Sequence, residues 1–182
     1  MGVLYQGPIR LVLFDVDGVL TDGSLHLDGR GERIKTFNAR DGLAVSLLRA
    51  HGIQSGILSG KSSEALDFRI QQLKFDVSIT GRIDKYNAYL SIKREYGLND
   101  SEIAYVGDDI IDLPLAGIVG LFYAPSDAHF LVKESADYVV SARGGRGVAR
   151  EVAEHLLLAG GLSIKQLYHP LLTQWETYNA TQ

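Results

Sequence analysis

Cysteine is absent from the 182 residues. That excludes disulfides, thiolate catalysis and cysteine-ligated metals, and leaves the redox compartment open. Long apolar runs are missing too. The longest, "AGIVGLFYA", falls far short of the ~20 residues that cross a bilayer, and the opening "MGVLYQGPIR" has no apolar stretch of signal-peptide length. Charge of one sign is not concentrated either. The net charge is −4, so nothing draws the chain to nucleic acid or to an anionic membrane surface. A cytoplasmic protein is the expectation. The histidines (His26, His51, His129, His155 and His169) are scattered without ligand spacing and read as surface or structural residues. What is present, 46% hydrophobic and 22% charged residues, suits one globular domain with a proper core.

Strand and helix patterns alternate along the chain. "RLVLFDV" is short and rich in Val, Leu and Phe, as a buried parallel strand should be. An amphipathic helix "DGLAVSLLRAHG" follows, ended by Gly52. Next come a strand "IQSGILSG", a helix "SSEALDFRIQQLK", a strand "DVSIT" and a helix "KYNAYLSIKREYG". A strand "EIAYVGDD", a helix around "IDLPLAGIV" and a strand "GLFYAP" continue the series. It closes with a short helix "DAHFLVKESA", a strand "DYVVSA" and a helix "RGVAREVAEHLLLAG". Such alternation predicts βαβ units and a parallel sheet, an α/β three-layer sandwich of Rossmann-like type.

Two segments depart from the alternation. Residues 23–38 read as a β-hairpin: "SLHLD" and "RIKTF" alternate in polarity around the turn chemistry of "DGRG". The hairpin follows the first strand directly, so it rises above the carboxyl edge of the sheet as a surface hairpin, a flap or an oligomer contact. Residues 162–182 have a proline, mixed polarity and no clear period, which predicts an irregular tail.

In open α/β folds, ligands bind beyond the carboxyl ends of the strands. The first strand delivers Asp15, Asp17 and Gly18 there, and the second Ser59, Gly60 and Lys61. The loop after the third delivers Asp84 and Lys85, and the fourth delivers Asp108, Asp109 and Asp112. Each has a bland reading: Asp84, Ser62 or Asp109 as helix caps, Lys85 as a solvated helix residue. The set at four strand ends is harder to assign to capping. Several carboxylates in one pocket repel unless a cation lies among them, and an all-oxygen ligand set selects Mg²⁺ before Zn²⁺. A phosphate ester also needs donors and positive charge, which Lys85, the Ser59 hydroxyl and loop N–H groups can supply. Asp15 and Asp17 lean to the same side of the strand. One can attack phosphorus as a carboxylate, and the other can protonate the leaving oxygen and then activate water. An Asp near its ordinary pKa of ~3.9 is ionised at neutral pH, as a nucleophile must be.

"DVDGVLTDG", "LSGK", the lysine of "GRIDK" and "GDDIIDLP" resemble the four motifs of the haloacid dehalogenase superfamily of phosphotransferases. The likeness runs on through "GERIKTFNARDGL", "FRIQQL" and "GGRGVAREV", from Ile9 to Gly161. Within the superfamily it resembles most the 3-deoxy-D-manno-octulosonate 8-phosphate phosphatases of lipopolysaccharide synthesis. The resemblance implies Asp15 as nucleophile and Asp17 as general acid/base. It implies Mg²⁺ held by Asp15, the backbone carbonyl of Asp17 and Asp108. Ser59 would bind a phosphoryl oxygen and Lys85 would neutralise developing charge. Asp109 and Asp112 would orient Lys85 or metal-bound water. No large cap domain fits between the motifs, so the fold expected is HAD-like with a β-hairpin flap. Members of this family are tetramers in which a neighbour's hairpin closes the site, which implies a homotetramer.

The substrate implied is a phosphorylated sugar acid, with no nucleic-acid or membrane partner. Its carboxylate calls for cations beyond Lys85, and Arg40, Lys61 and Arg69 are the candidates beside Gly60. At position 61 the octulosonate phosphatases usually carry Arg and their nononate 9-phosphate relatives Glu. Lys keeps the sign of the former without its fork. "GGRG", Gly144 to Gly147, resembles a loop that contacts the neighbouring subunit or its tail; as a phosphate cradle it is a weak signal. Two alternatives stand beside the octulosonate substrate. One is the same chemistry on a nononate 9-phosphate or another sugar phosphate. The other is a non-catalytic module that partners a sugar-nucleotide synthetase, against which the intact Asp15, Asp17, Lys85 and Asp108 argue.

Overall fold

The computed structural model of the chain describes residues 3–179. In chain order its elements are β1 (Leu11–Phe14), β2 (His26–Asp28), β3 (Gly31–Ile34), α1 (Ala39–Ala50), β4 (Gln54–Leu58), α2 (Glu64–Leu73), β5 (Val77–Ile79) and α3 (Lys85–Tyr96). Then follow β6 (Ile103–Val106), a 3₁₀ turn (Ile110–Leu115), β7 (Leu121–Ala124), α4 (Phe130–Ser135), β8 (Tyr138–Val139), α5 (Val148–Ala159) and α6 (Ile164–Asn179). Six strands form one parallel sheet in the order β5-β4-β1-β6-β7-β8, and β2 pairs antiparallel with β3 as a separate hairpin.

All four residues of β1 are buried, and their alternation builds the layers. Val12 and Phe14 face a core shared with Leu47 and Leu48 of α1 and Val152 and Leu156 of α5. Leu11 and Leu13 face the opposite core, with Tyr89 and Ile92 of α3 and Leu115 of the 3₁₀ turn. Each such side chain contributes about 1.5–3 kcal/mol relative to exposure. The expected three-layer α/β sandwich is what forms, and among the described residues no closed barrel does.

The chain runs from β1 outward through β4 and β5, then returns to β6 on the other side of β1. The strand order therefore reverses between β1 and β6, which opens a crevice at their carboxyl ends. No helix among the described residues is long and apolar enough to cross a membrane.

Two elements differ from the sequence reading. The segment "IDLPLAGIV" makes only a 3₁₀ turn, because Pro114 lies inside it and a reciprocal cap between Asp109 and Asp112 tightens its start. The tail expected to be irregular contains α6, and only residues 180–182 of it lie outside the described ones. Leu167 and Leu171, four apart, bury against the α1–α5 core. Arg150 of α5 donates to the Tyr168 hydroxyl at 2.6 Å. Docking onto a finished core overrides the helix-breaking tendency of Pro170.

Candidate active site

The crevice holds the paired aspartates. Asp15 continues the ladder of β1, its N–H donating to the Val106 carbonyl at 2.9 Å. Beyond it the backbone wraps around the Val16 carbonyl, which accepts from the N–H groups of Leu20 and Thr21 at 2.9 Å each. Gly18 makes the turn possible. Its φ is +86°, and a Cβ there would lie 1.9 Å from Asp108 Oδ2. Only glycine lets the β1 and β6 loops close on each other.

Beneath Asp15 lies a buried polar cluster. The Lys85 ammonium is 2.9 Å from Asp15 Oδ2 and 2.5 Å from Asp112 Oδ1, and it donates to the Tyr105 hydroxyl at 3.0 Å. Those three acceptors use its three N–H donors. Tyr105 in turn donates to Asp112 Oδ1 at 2.6 Å. Asp112 Oδ2 accepts from the N–H groups of Asp108 at 3.0 Å and Asp109 at 3.2 Å. Asp112 thus ties the β6 loop to the lysine. Gly107 leaves room for it, since a Cβ there would fall 2.5 Å from Asp112 Cβ.

The carboxylates of Asp15, Asp108 and Asp112 converge within 4.8 Å. Asp112 has both oxygens occupied by protein donors, so it organises the cluster rather than offering itself to an ion. Asp108 is different: its Oδ1 is buried with no hydrogen-bond partner. Burial first, then the charges of Asp15 and Asp112, push Asp108 up to about 8. Burial first and Asp112 push Asp15 up to about 6, against the pull of Lys85. For Lys85, burial alone would lower the pKa, but Asp15 and Asp112 together outweigh it and raise it. A carboxylate pair short of positive charge, with one buried oxygen unpartnered, fits a hard divalent cation.

Above the cluster is a cavity of about 250 Å³, lined by Asp15, Asp17, Gly18, Gly23, Ser59, Gly60, Lys61, Asp108, Asp109 and Ile111. Larger surface grooves exist, one of about 550 Å³ along Ser78–Ser91, but paired carboxylates and a lysine meet in this smaller one. Ser59 is buried at the end of β4 and its hydroxyl accepts from the Lys61 N–H at 3.3 Å. Lys61 is exposed at the rim.

Other expectations resolve differently. Asp84 caps α3, accepting from the Asn87 N–H at 3.1 Å, whereas Ser63 rather than Ser62 caps α2. Asp109 caps the 3₁₀ turn through the Ile110 N–H at 2.7 Å. It also lines the cavity, while the carboxylate that touches Lys85 is that of Asp112. Arg40 is exposed and packs toward Gly147, outside the cavity. Arg69 is also outside it. Its guanidinium donates to the Asn38 carbonyl at 3.2 Å and to Gln72 at 2.8 Å, and lies 5.6 Å from the centre of the Phe37 ring. Within one chain Arg69 braces the α1–α2 corner. Gly144 and Gly145 pack against Gly18–Asp22 of their own chain and so support the aspartate loop from behind. No histidine joins the cluster: His129 caps α4, His51 bonds to the Leu167 carbonyl at 2.8 Å, and His155 stacks on Tyr138.

Lys35 and Glu32 escaped the sequence reading. Lys35 lies one residue past β3, and its Nζ is 2.5 Å from Asp17 Oδ1 and 2.9 Å from Glu32 Oε1. Nothing in the alternating pattern distinguishes it from Arg33. Only the hairpin's return toward the rim could have pointed to it.

Comparison with known proteins agrees with this geometry. Residues 68–152 match the haloacid dehalogenase-like hydrolase family. The 3-deoxy-D-manno-octulosonate 8-phosphate phosphatase KdsC of Haemophilus influenzae is 41% identical over 155 residues, 85% of this chain and 86% of that protein. The cobalt-bound structure of the H. influenzae phosphatase superposes with a TM-score of 0.82, covering 85% of this chain and 90% of that one at 41% identity. The Moraxella catarrhalis phosphatase, solved with magnesium, phosphate and KDO, superposes with a TM-score of 0.80 at 34% identity, covering 83% of this chain and 87% of that one.

Proposed function

Because the chain belongs to the haloacid dehalogenase-like hydrolases, in the family of 3-deoxy-D-manno-octulosonate 8-phosphate phosphatases, we propose that it hydrolyses that phosphate ester to the free sugar acid and inorganic phosphate. The enzyme is a phosphoric monoester hydrolase serving lipopolysaccharide biosynthesis, with Mg²⁺ as cofactor. The observation that carries the reading is the meeting of Asp15, Asp17, Ser59 and the unpartnered carboxylate of Asp108 in one small cavity above a buried lysine.

Asp15 is the nucleophile. Its carboxylate oxygen bonds to phosphorus as the ester P–O bond breaks, and Asp17 gives its proton to the departing sugar oxygen. The product is an aspartyl-phosphate and the free sugar acid. Asp17, now a carboxylate, takes a proton from the water that attacks phosphorus, and Asp15 leaves with inorganic phosphate released. The Ser59 hydroxyl donates to a phosphoryl oxygen. Lys85 stays paired with Asp15 and offsets the charge gathered around it. Asp15, Asp108 and the Asp17 backbone carbonyl would hold Mg²⁺, which supplies neutralisation and orientation of the phosphoryl oxygens.

Lys61 at the rim is the cation nearest the cavity for the substrate carboxylate, with Gly60 beside it leaving room for the sugar. The working form is a homotetramer joined through hairpins. Support comes from the exposed apolar side chains of Leu27 and Ile34 on the hairpin and Phe68 on α2, which are the kind of surface a second copy covers. The reaction belongs in the cytoplasm, since multiply charged esters do not cross bilayers unaided.

The test is phosphate release from the octulosonate 8-phosphate, a nononate 9-phosphate and simple hexose phosphates, with Mg²⁺ and with EDTA. The eight-carbon ester should show the highest kcat/KM, and EDTA should abolish it. Equal rates across the panel would remove the substrate assignment, and no release from any ester would remove the activity.

A further inference from the structure

The phosphatase reading needs Asp17 to hand a proton across a defined line, yet an aspartate carboxyl turns freely about its last bond. Its surroundings restrict that freedom in one way. The hydrogen bonds that the described residues make to its carboxylate fall on Oδ1: Thr21 Oγ1 at 3.4 Å and Lys35 Nζ at 2.5 Å. Oδ2 receives neither of them, and Asp17 lines the cavity. The lysine responsible is unusual for a hairpin. A surface lysine normally extends its ammonium into water. The Lys35 side chain is 1% exposed, caught between Asp17 and Glu32 of the adjoining β3. Burying an ammonium is costly unless opposite charges hold it, and here two do.

The base of the hairpin is itself anchored. Asn38, three residues on, caps α1, donates to the Gly145 carbonyl at 3.3 Å and accepts from Arg69 through its own carbonyl at 3.2 Å. Those bonds fix the base of the hairpin from which Lys35 reaches Asp17, a residue of the cavity lining.

We propose that Lys35 is a positioning residue for the reaction: from the hairpin it pins one oxygen of Asp17, so that the other is aimed at the oxygen leaving phosphorus. This rests on the phosphatase reading. Lys35 forms and breaks no bond in the reaction; its contribution is the direction of proton delivery, with Glu32 holding it in turn.

A series of phosphate esters of falling leaving-group basicity, from alkyl phosphates to p-nitrophenyl phosphate, separates this role from a structural one. A good leaving group departs without a proton, so only poor ones need Asp17 aimed. Lys35→Met should lower kcat/KM by about 30-fold for alkyl phosphates and by less than about threefold for p-nitrophenyl phosphate, a share of the ~10²–10⁴ that a positioned proton donor provides. Lys35→Arg should restore most of the alkyl activity. Glu32→Gln should move the same slope more weakly, and these two variants decide the matter if Lys35→Met does not fold. A loss equal for every ester, or no loss, would overturn the proposal. Wild-type protein inert toward every ester would instead sink the phosphatase reading beneath it.

Discussion

Asp15 and Asp17 stand two residues apart, and each has a lysine partner, but the partners belong to different architectures. Lys85 opens α3 beneath the sheet, has no exposed side-chain surface, and is locked by Asp15, Asp112 and Tyr105. Lys35 hangs from a two-stranded hairpin whose strands are mostly exposed, and meets an Asp17 that keeps 20% of its side-chain surface in solvent. The sheet-borne half is bound into the core, so the same contacts that shape the nucleophile also hold the fold. The hairpin-borne half carries fewer core contacts, since the strands of its hairpin are mostly exposed. As the proposed nucleophile, Asp15 needs a fixed position, and burial at the sheet edge provides it. As the proposed proton carrier, Asp17 must meet both substrate and water, which its partly exposed position allows.

The largest effect should come from the sheet side. Asp15→Asn should cut phosphate release by at least ~10³-fold, the scale of losing a nucleophile, and should also lower the melting temperature, because the amide keeps the shape but removes one of the two carboxylates that face the buried Lys85. Full activity in that variant would break the assignment.

Lys85→Met tests the fusion of stability and chemistry. It strands Asp112 and Asp15 without their cation and should cost about 3–5 kcal/mol as well as most activity. Lys35→Met, scored by the same urea unfolding, should lose clearly less. Equal losses would erase the distinction between the halves.

The ion site sharpens the comparison through pH. Asp108 rises from 3.8 in the unfolded chain to about 8 in the folded one. Between those values the folded state binds the extra proton, so ion-free stability should fall as pH rises from about 5 to about 8. Mg²⁺ favours the carboxylate form, so its stabilising shift should grow over the same range, reaching about 3 kcal/mol at a hundredfold excess over Kd. Melting curves with Mg²⁺ and with EDTA at several pH values read this directly; an Mg²⁺ shift that shrinks with rising pH would count against Asp108 as a ligand.

The smallest effect belongs to the rim. Lys61 is exposed, and an exposed ion pair contributes up to about 1 kcal/mol. Lys61→Ala should therefore raise KM about fivefold and leave kcat within twofold. A collapse of kcat would move Lys61 from gripping the substrate to the chemistry.

Legibility followed the same divide. Asp15, Asp17, Ser59, Lys85, Asp108 and Asp112 could be gathered from the sequence because each lies at or just past a strand end, and a parallel sheet brings those ends together. Asp109 shares that address but its side chain turns to cap a helical turn, a choice between two local hydrogen bonds that spacing does not decide. Arg40 and Arg69 sit on helices, where the direction of a long side chain depends on what packs beside it. Lys35 required knowing how far a hairpin folds back. The tail hid α6 because its two core leucines have meaning only against the finished α1–α5 face.

Strand periodicity, the absence of cysteine and the motif aspartates sufficed to specify a parallel α/β sheet with an oxygen-rich phosphoryl site, because local pattern and strand direction decide both. Which oxygen of Asp17 meets Lys35, which buried carboxylate oxygen is left without a partner, and which arginines stay outside the cavity were decided only in three dimensions. Those outcomes depend on contacts between segments far apart in the chain, where burial makes each unpaired charge costly enough to choose a partner.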